Sequence, residues 1–174
     1  MTLRNNDDNA NSQQTMENFG MPLRIGVISD THGLVRPEIY EAFRSVDHIL
    51  HAGDVGADEI LAELADIALL SAVRGNIDTT PECAALPLST TVRLGGAEIF
   101  LHHGHVDDLA TMSATTDIVV VGHSHRPRIE IIDGILHVNP GSAGPRRFHF
   151  PTTVAIITLC GRARTAEIIE FSRE

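Results

Sequence analysis

The sequence predicts an α/β fold, with strand pairing closer to α+β towards its end, and three observations support this. Short runs of branched apolar residues recur from Leu23 onwards. Helical stretches separate the first runs, and strands that alternate with helices favour parallel pairing. In the last third, two apolar runs flank Asp133-Gly134, a strong hairpin signal. We therefore expect a mainly parallel half followed by an antiparallel half.

Each predicted element has its own signal. The parallel strands are assigned to the branched runs "RIGVIS", "HILHAG", "IALLSAV", "AEIFLHH" and "DIVVVG". The helices are assigned to "PEIYEAFRSV" and "ADEILAELA", where apolar residues recur three and four positions apart. The later strands are assigned to "RIEIIDGILHVN", which forms the hairpin, and to "TTVAIITLCG" and "TAEIIEF".

Length and composition predict one domain after a tail. The first twenty residues are polar, rich in Asn and Gln and without periodicity, which is typical of a flexible segment. We expect a tail over residues 1–21 and a single domain over 22–174, since 174 residues fit one domain. No apolar run approaches the roughly 18 residues of a membrane span, and no signal-peptide pattern opens the chain, so we expect a cytoplasmic protein without membrane association.

Charge and cysteine content exclude further classes. Cys83 and Cys160 lie far apart and outside any C-x-x-C spacing, so we expect neither a disulfide framework nor a thiolate metal site. A formal charge of −10 argues against stable nucleic-acid binding, which depends on clustered Lys and Arg. A small anionic substrate would then need a local source of positive charge.

Ligand-type side chains follow the predicted parallel strands, each next to a glycine-containing loop. In chain order they are Asp30, His32, Asp54, Asn76, His103, His105, His123 and His125. In open α/β sheets ligands bind at the carboxyl ends of the strands, so these groups can converge there. Residues two apart in an extended chain share a face, which would pair Asp30 with His32 and His123 with His125.

This mixture of side chains indicates a metal centre. Asp, Asn and several His together suit a pair of divalent transition-metal ions, such as Mn²⁺, Fe²⁺, Zn²⁺, Co²⁺ or Ni²⁺. A carboxylate can bridge two ions, and such pairs neutralise the charge that develops in a phosphoryl displacement. The ions would supply the positive charge that the acidic chain lacks.

The motifs "SDTHG", "HAGD", "VRGNID", "HGH", "GHSHRP" and "NPGS" together resemble the calcineurin-like metallophosphoesterase superfamily, and within it the small YfcE-type phosphodiesterases. The resemblance covers roughly residues 22–172. It implies a sandwich of two sheets flanked by helices and two metal ions, with manganese favoured. It also implies a metal-bound water or hydroxide as nucleophile.

The resemblance also implies individual roles for the ligand-type residues. Asp30, His32 and His125 would hold one ion, and Asn76, His103 and His123 the other, with Asp54 between them. Members of the superfamily that carry the protein-phosphatase motif have His directly after the Asn, whereas Ile77 stands there in this chain. The general acid therefore needs another source.

Three further residues have open interpretations. His105 lies two residues after His103 and could contact the substrate or the leaving group, or be structural. Arg74 and Asn76 are assigned to the catalytic residues. Arg74 could bind phosphate oxygens, or it could be a solvated arginine at a strand end. The same two alternatives apply to Arg146. His48 and His51 are expected to be structural.

Two functional hypotheses follow. The first is a dinuclear phosphodiesterase that acts on small or nucleotide-like diesters. The second is a protein-binding scaffold, since the superfamily includes a retromer subunit whose fold serves binding. Every expected ligand position is filled, which favours the enzyme. A homo-oligomer formed through a sheet edge or hairpin is compatible with either hypothesis.

Overall fold

A computed structural model describes residues 21–104, 112–146 and 150–171. The predicted tail therefore lies, except for Met21, outside the described residues, and so does His105. The strands are β1 (Leu23–Ile28), β2 (His48–His51), β3 (Leu69–Ala72), β4 (Ser89–Leu94), β5 (Ala97–His102), β6 (Ile118–Val121), β7 (Arg128–Ile132), β8 (Ile135–Asn139), β9 (Thr153–Cys160) and β10 (Ala163–Glu170). The helices are α1 (Pro37–Ala42), α2 (Asp58–Ala65) and α3 (Pro81–Ala85).

The strands form two mixed sheets of five strands each. Sheet A has the order β10-β9-β1-β2-β3, and sheet B has the order β4-β5-β6-β8-β7. Strands β1, β2 and β3 are parallel, as are β5, β6 and β8. The remaining pairs, β1–β9, β9–β10, β4–β5 and β7–β8, are antiparallel.

The predicted division into a parallel and an antiparallel half is only partly right. Strand β9 returns along sheet A to pair with β1, so the last hairpin completes the first sheet rather than forming a separate layer. The strand β4 and the short helix α3 lie outside the predicted elements. Strand β4 joins β5 through Gly95-Gly96, a turn type that the double glycine permits because both residues have positive φ.

Two apolar clusters hold the layers together. One fills the space between the sheets, where alternate residues such as Ile25 and Val27 of β1 meet Ile99 of β5 and Ile118 of β6. The other lies on the opposite face of sheet A, beneath the three described helices. The structure is therefore the expected α/β sandwich, and the described helices pack on sheet A. No helix of the described residues is long and apolar enough to cross a membrane.

Candidate metal centre

The carboxyl ends of the parallel strands in both sheets meet at one edge of the sandwich. The loop after β5 reaches the loop after β2, because the His103 Nδ1–H donates to the Ala52 carbonyl at 2.7 Å. The loop after β6 reaches the loop after β1, because the His123 amide donates to Asp30 Oδ2 at 3.2 Å. The predicted convergence of the ligand-type loops is therefore present.

The backbone achieves this convergence in an unexpected way. The residues Asp30, His32, Asp54, His123 and His125 all have positive φ, between 48° and 65°. The expectation that ligand pairs share a face of an extended chain is wrong, because left-handed residues turn the chain sharply instead. Backbone hydrogen bonds hold this conformation after β1: the Asp30 amide donates to the Gly53 carbonyl, and the His32 amide to the Asp54 carbonyl, both at 3.0 Å.

One group of candidate ligands is formed by Asp30, His32 and His125. Asp30 Oδ1 lies 3.2 Å from His125 Nε2 and 3.9 Å from His32 Nε2. This oxygen is buried and accepts no hydrogen bond from any described residue, whereas Asp30 Oδ2 accepts one from the Ser29 hydroxyl at 2.6 Å. A buried carboxylate oxygen without a hydrogen bond, facing imidazole nitrogens, fits a cation ligand.

The Asp54 carboxylate lies between two imidazoles. Its Oδ2 is 3.9 Å from His32 Nε2, and its Oδ1 is 3.4 Å from His103 Nε2. Burial alone would raise the pKa of Asp54, but the hydrogen bond and charge of His103, together with the Ile77 amide, lower that pKa to about 2. Asp54 is therefore an ionised carboxylate whose two oxygens face different candidate ligands.

His103 presents one ring nitrogen to the centre. Its Nδ1–H is committed to the Ala52 carbonyl, which leaves Nε2 facing Asp54 and, at 3.2 Å, Asn76 Oδ1. Burial would lower the pKa of His103, but the hydrogen bond and charge of Asp54 and the Ala52 carbonyl raise it. An imidazole held by a backbone carbonyl in this way has the orientation common among metal-ligating histidines.

His51 stabilises the loops that follow β1 and β2 through hydrogen bonds. The Gly53 amide donates to His51 Nδ1 at 3.2 Å, so His51 Nε2 carries the ring proton and donates to Thr31 Oγ1 at 2.9 Å. The Thr31 hydroxyl then donates to the Val55 carbonyl at 2.9 Å. Burial lowers the pKa of His51 to about 4, which agrees with a neutral ring. These contacts are those of the expected structural histidine.

Asp78 joins the loops after β2 and β3, and the sequence analysis did not single it out. Its Oδ1 accepts from the Gly56 amide and its Oδ2 from the Gly75 amide, both at 2.8 Å. The side chain is buried, so it fixes the spacing between the Asp54 and Asn76 loops. Its position two residues after Asn76 was a usable signal, because a polar residue next to a ligand loop often holds it.

We expect Asp78→Asn to destabilise the fold by about 1–3 kcal/mol, because the amide has one acceptor oxygen and leaves one buried N–H without a partner. Urea unfolding of the two proteins measures this difference. Asp66→Asn, at the exposed end of α2, makes the same chemical change and should stay within about 0.5 kcal/mol of the parent. Equal stability of the two variants would contradict the role of Asp78.

The other predicted residues have different surroundings. Asn76 and His123 are exposed, and the His123 ring contacts the His103 ring at a centroid distance of 5.1 Å. Arg74 donates to the Ala84 carbonyl of α3 at 3.0 Å, a structural contact, so its role at phosphate stays a prediction. Arg146 is exposed and lines a small cavity with His125.

The comparison with known families decides the identity of the fold. A model of the calcineurin-like phosphoesterase superfamily domain matches residues 23–162, which include all the candidate ligands. The chain belongs to the calcineurin-like phosphoesterase superfamily. The resemblance inferred from the motifs is thereby confirmed, and membership assigns the chain to the phosphoester hydrolases.

Individual relatives agree with this membership. A protein of Methanothermobacter thermautotrophicus, which carries the name "Probable metallophosphoesterase", is 34% identical over 158 residues, which cover 83% of this chain and 91% of the relative. The phosphodiesterase YfcE of Escherichia coli K12 is 37% identical over 78 residues, which cover 41% of this chain and 42% of YfcE. The structure of vacuolar protein sorting 29 from Cryptosporidium parvum has a TM-score of 0.70 at 22% identity, covering 90% of this chain and 100% of that one, and shows the shared fold.

Superfamily membership fits the donor set. Metallophosphoesterases use divalent metals, and the described residues offer two candidate ligand groups, Asp30 with His32 and His125, and Asp30 with Asp54 and His103. Both groups combine carboxylate oxygens with imidazole nitrogens, which is the chemistry that divalent transition metals prefer.

Proposed function

We propose that this phosphoesterase is a dinuclear, metal-dependent phosphodiesterase that hydrolyses small or nucleotide-like diesters. The observation that carries the proposal is the position of Asp54, whose two oxygens face His32 on one side and His103 on the other. A carboxylate in this position suits two neighbouring cations, because each oxygen can serve one of them.

The residues present would hold two ions. Asp30, His32 and His125 would hold the first and Asn76, His103 and His123 the second, with Asp54 shared. Manganese is the favoured metal, and iron, nickel, cobalt or zinc would also suit these nitrogen and oxygen donors. Two bound ions supply a polarised water and the positive charge that stabilises a phosphoryl transition state.

The protein's own contribution is orientation. Ser29 and the His123 amide both donate to Asp30 Oδ2, which directs Asp30 Oδ1 towards His125. The Ala52 carbonyl holds His103 by its Nδ1–H. Because these partners belong to the folded chain, the ligands need little reorganisation when a substrate binds.

The residue after Asn76 affects which class of phosphate ester the protein would hydrolyse best. Ile77 uses its backbone amide to donate to Asp54 Oδ1 at 3.1 Å, and its side chain has no proton to give a leaving group. Diesters with good leaving groups should therefore react best, since they need protonation least. His105, for which the sequence leaves a contact with the substrate or leaving group and a structural role both open, is the candidate general acid for poorer leaving groups.

A panel of esters tests the proposal. We expect the metal-stripped protein to be inactive and a nitrophenyl diester to be hydrolysed after two equivalents of Mn²⁺ are restored. A monoester with an alkoxide leaving group should react more slowly, because its leaving group needs a proton and Ile77 offers none. Full turnover in the metal-stripped protein, or faster turnover of the monoester, would contradict the proposal. The control is the same protein refilled with Mg²⁺, which prefers oxygen-rich sites.

The scaffold hypothesis is the second candidate. Its support is the fold shared with vacuolar protein sorting 29 and the exposed apolar side chains of the edge strand β7, where Ile131 is 73% exposed. The complete set of ligand-type residues favours the enzyme. Tight metal binding without turnover of any ester would favour the scaffold.

A further inference from the structure

A cavity of about 390 Å³ opens beside His123 on the outer face of sheet B. Its volume lies in the range of small-molecule sites. The cavity adjoins the candidate metal centre, because His123 lines it and also contacts the His103 ring. The polar side chains that line it, apart from His123, are Ser124, Arg126, Arg128, Glu130, His137 and Asn139.

The charge of this cavity differs from that of the chain. The whole chain carries a formal charge of −10, whereas the cavity is lined by two arginines and one glutamate. Arg128 is the first residue of β7 and Arg126 lies two residues before it, and both line the cavity. Two guanidinium groups at one cavity in an acidic protein favour an anionic ligand.

The present partners of these arginines leave them able to bind a ligand. Arg126 lies over the Phe150 ring, 5.3 Å from its centroid, a contact that keeps the cationic charge. Arg128 pairs with Glu130, but the Arg128 side chain is 69% exposed and the Glu130 side chain 29%. A solvent-accessible pair of this kind contributes little to stability, so an anion can replace Glu130 as the partner.

The loop between the cavity and the metal centre is held in place. The Asn139 amide group donates to the Gly122 carbonyl at 2.9 Å and to the Ser124 hydroxyl at 3.1 Å. Asn139 Oδ1 accepts from the Gly141 amide at 2.9 Å. Asn139 thus fixes the position of His123 and Ser124 relative to β8. The cavity therefore has a fixed position relative to the candidate metal centre.

We infer that this cavity binds a second phosphate group, carried by one substituent of the diester whose reacting phosphate lies at the metal centre. The inference rests on the proposed function and names its substrate class. A phosphate suits a cavity lined by arginines better than a carboxylate does, because its charge approaches −2 and it offers three strong acceptor oxygens.

Equilibrium binding of two nucleotides tests the inference without turnover. Titration calorimetry on the metal-loaded protein compares thymidine 3′,5′-bisphosphate with thymidine 5′-monophosphate, which lacks the second phosphate. We expect the bisphosphate to bind about tenfold more tightly or better. Arg128→Gln should remove most of this advantage. Arg162→Gln makes the same charge change on the exposed β9–β10 turn and should keep it.

A gain-of-affinity variant guards against misfolding as an explanation. Glu130→Gln removes the competing carboxylate and should increase the preference for the bisphosphate. Equal affinity of the parent protein for the two nucleotides would overturn the inference. So would equal losses in Arg128→Gln and Arg162→Gln, since the effect would then be long-range charge alone. A protein that prefers the bisphosphate but hydrolyses no diester would contradict the proposed function and leave the phosphate site standing.

Discussion

Asp54→Ala is expected to lose most of both metal ions and to lower diester hydrolysis by about 10³-fold or more. The reason is that Asp54 lies between the two groups of candidate ligands, with one oxygen towards His32 and the other towards His103. Loss of several kcal/mol of electrostatic stabilisation corresponds to about that factor in rate. Elemental analysis of protein purified without chelators measures the metal, and initial rates with Mn²⁺ measure the activity.

Two control variants distinguish the loss of the Asp54 carboxylate from strain in the backbone. Asp54 has a φ of 56°, where alanine is strained and asparagine is better tolerated. Asp54→Asn keeps the shape and should still lose the shared ligand, so it should resemble Asp54→Ala in metal content. Asp66→Ala, at an exposed position, should keep both ions. Full occupancy in Asp54→Asn would show that the bridging role is wrong.

Gly75→Ala is expected to weaken metal binding by about 10–100-fold, a loss typical of disturbing the groups that orient metal ligands. A Cβ at Gly75 would overlap the Asp54 carboxylate and the Asp54 backbone nitrogen, and backbone atoms cannot swing aside. The Asp54 loop would have to move away from the loop after β3. Competition with a chelating dye measures the affinity, and thermal unfolding reports any loss of stability.

Gly134→Ala is the matched control. Gly134 lies in the β7–β8 turn, where an added Cβ would have no atom within 4 Å among the described residues. Its φ of 82° makes alanine strained, so this variant measures backbone cost without a clash at the centre. Gly134→Ala should lose stability and keep metal affinity. If Gly75→Ala also kept its metal affinity, the close packing of Gly75 against Asp54 would not be needed for metal binding.

The sequence predicted the ligand-type residues well because their signal is local. Each follows an apolar run and stands beside a glycine, and strand ends meet at one edge in α/β sheets. Asp78 gave a weaker signal, its position two residues after Asn76, because its importance lies in two backbone amides, one of which belongs to the loop after β2. The pairing of β9 with β1 was equally hidden, because a strand's partner depends on tertiary packing rather than on its own pattern.

The conformation of the ligands could not be predicted either. Asp30 and His32 look like alternate residues of a strand, yet backbone hydrogen bonds to Gly53 and Asp54 hold both in the left-handed region. Local pattern favours the extended form, and the contacts that override it come from residues more than twenty positions away. The sequence therefore predicted that these side chains meet, but it did not predict the backbone conformation that brings them together.

The left-handed ligands have a consequence for metal exchange. Each non-glycine residue in this region costs about 1–2 kcal/mol relative to a right-handed one, and for Asp30 and His32 backbone hydrogen bonds within the folded chain offset that cost. We therefore expect these ligands to keep their conformation when no ion is bound. We expect the apo protein to keep its native far-ultraviolet circular dichroism, and one metal to replace another without unfolding. Added ion should then raise the melting temperature only as far as mass action requires.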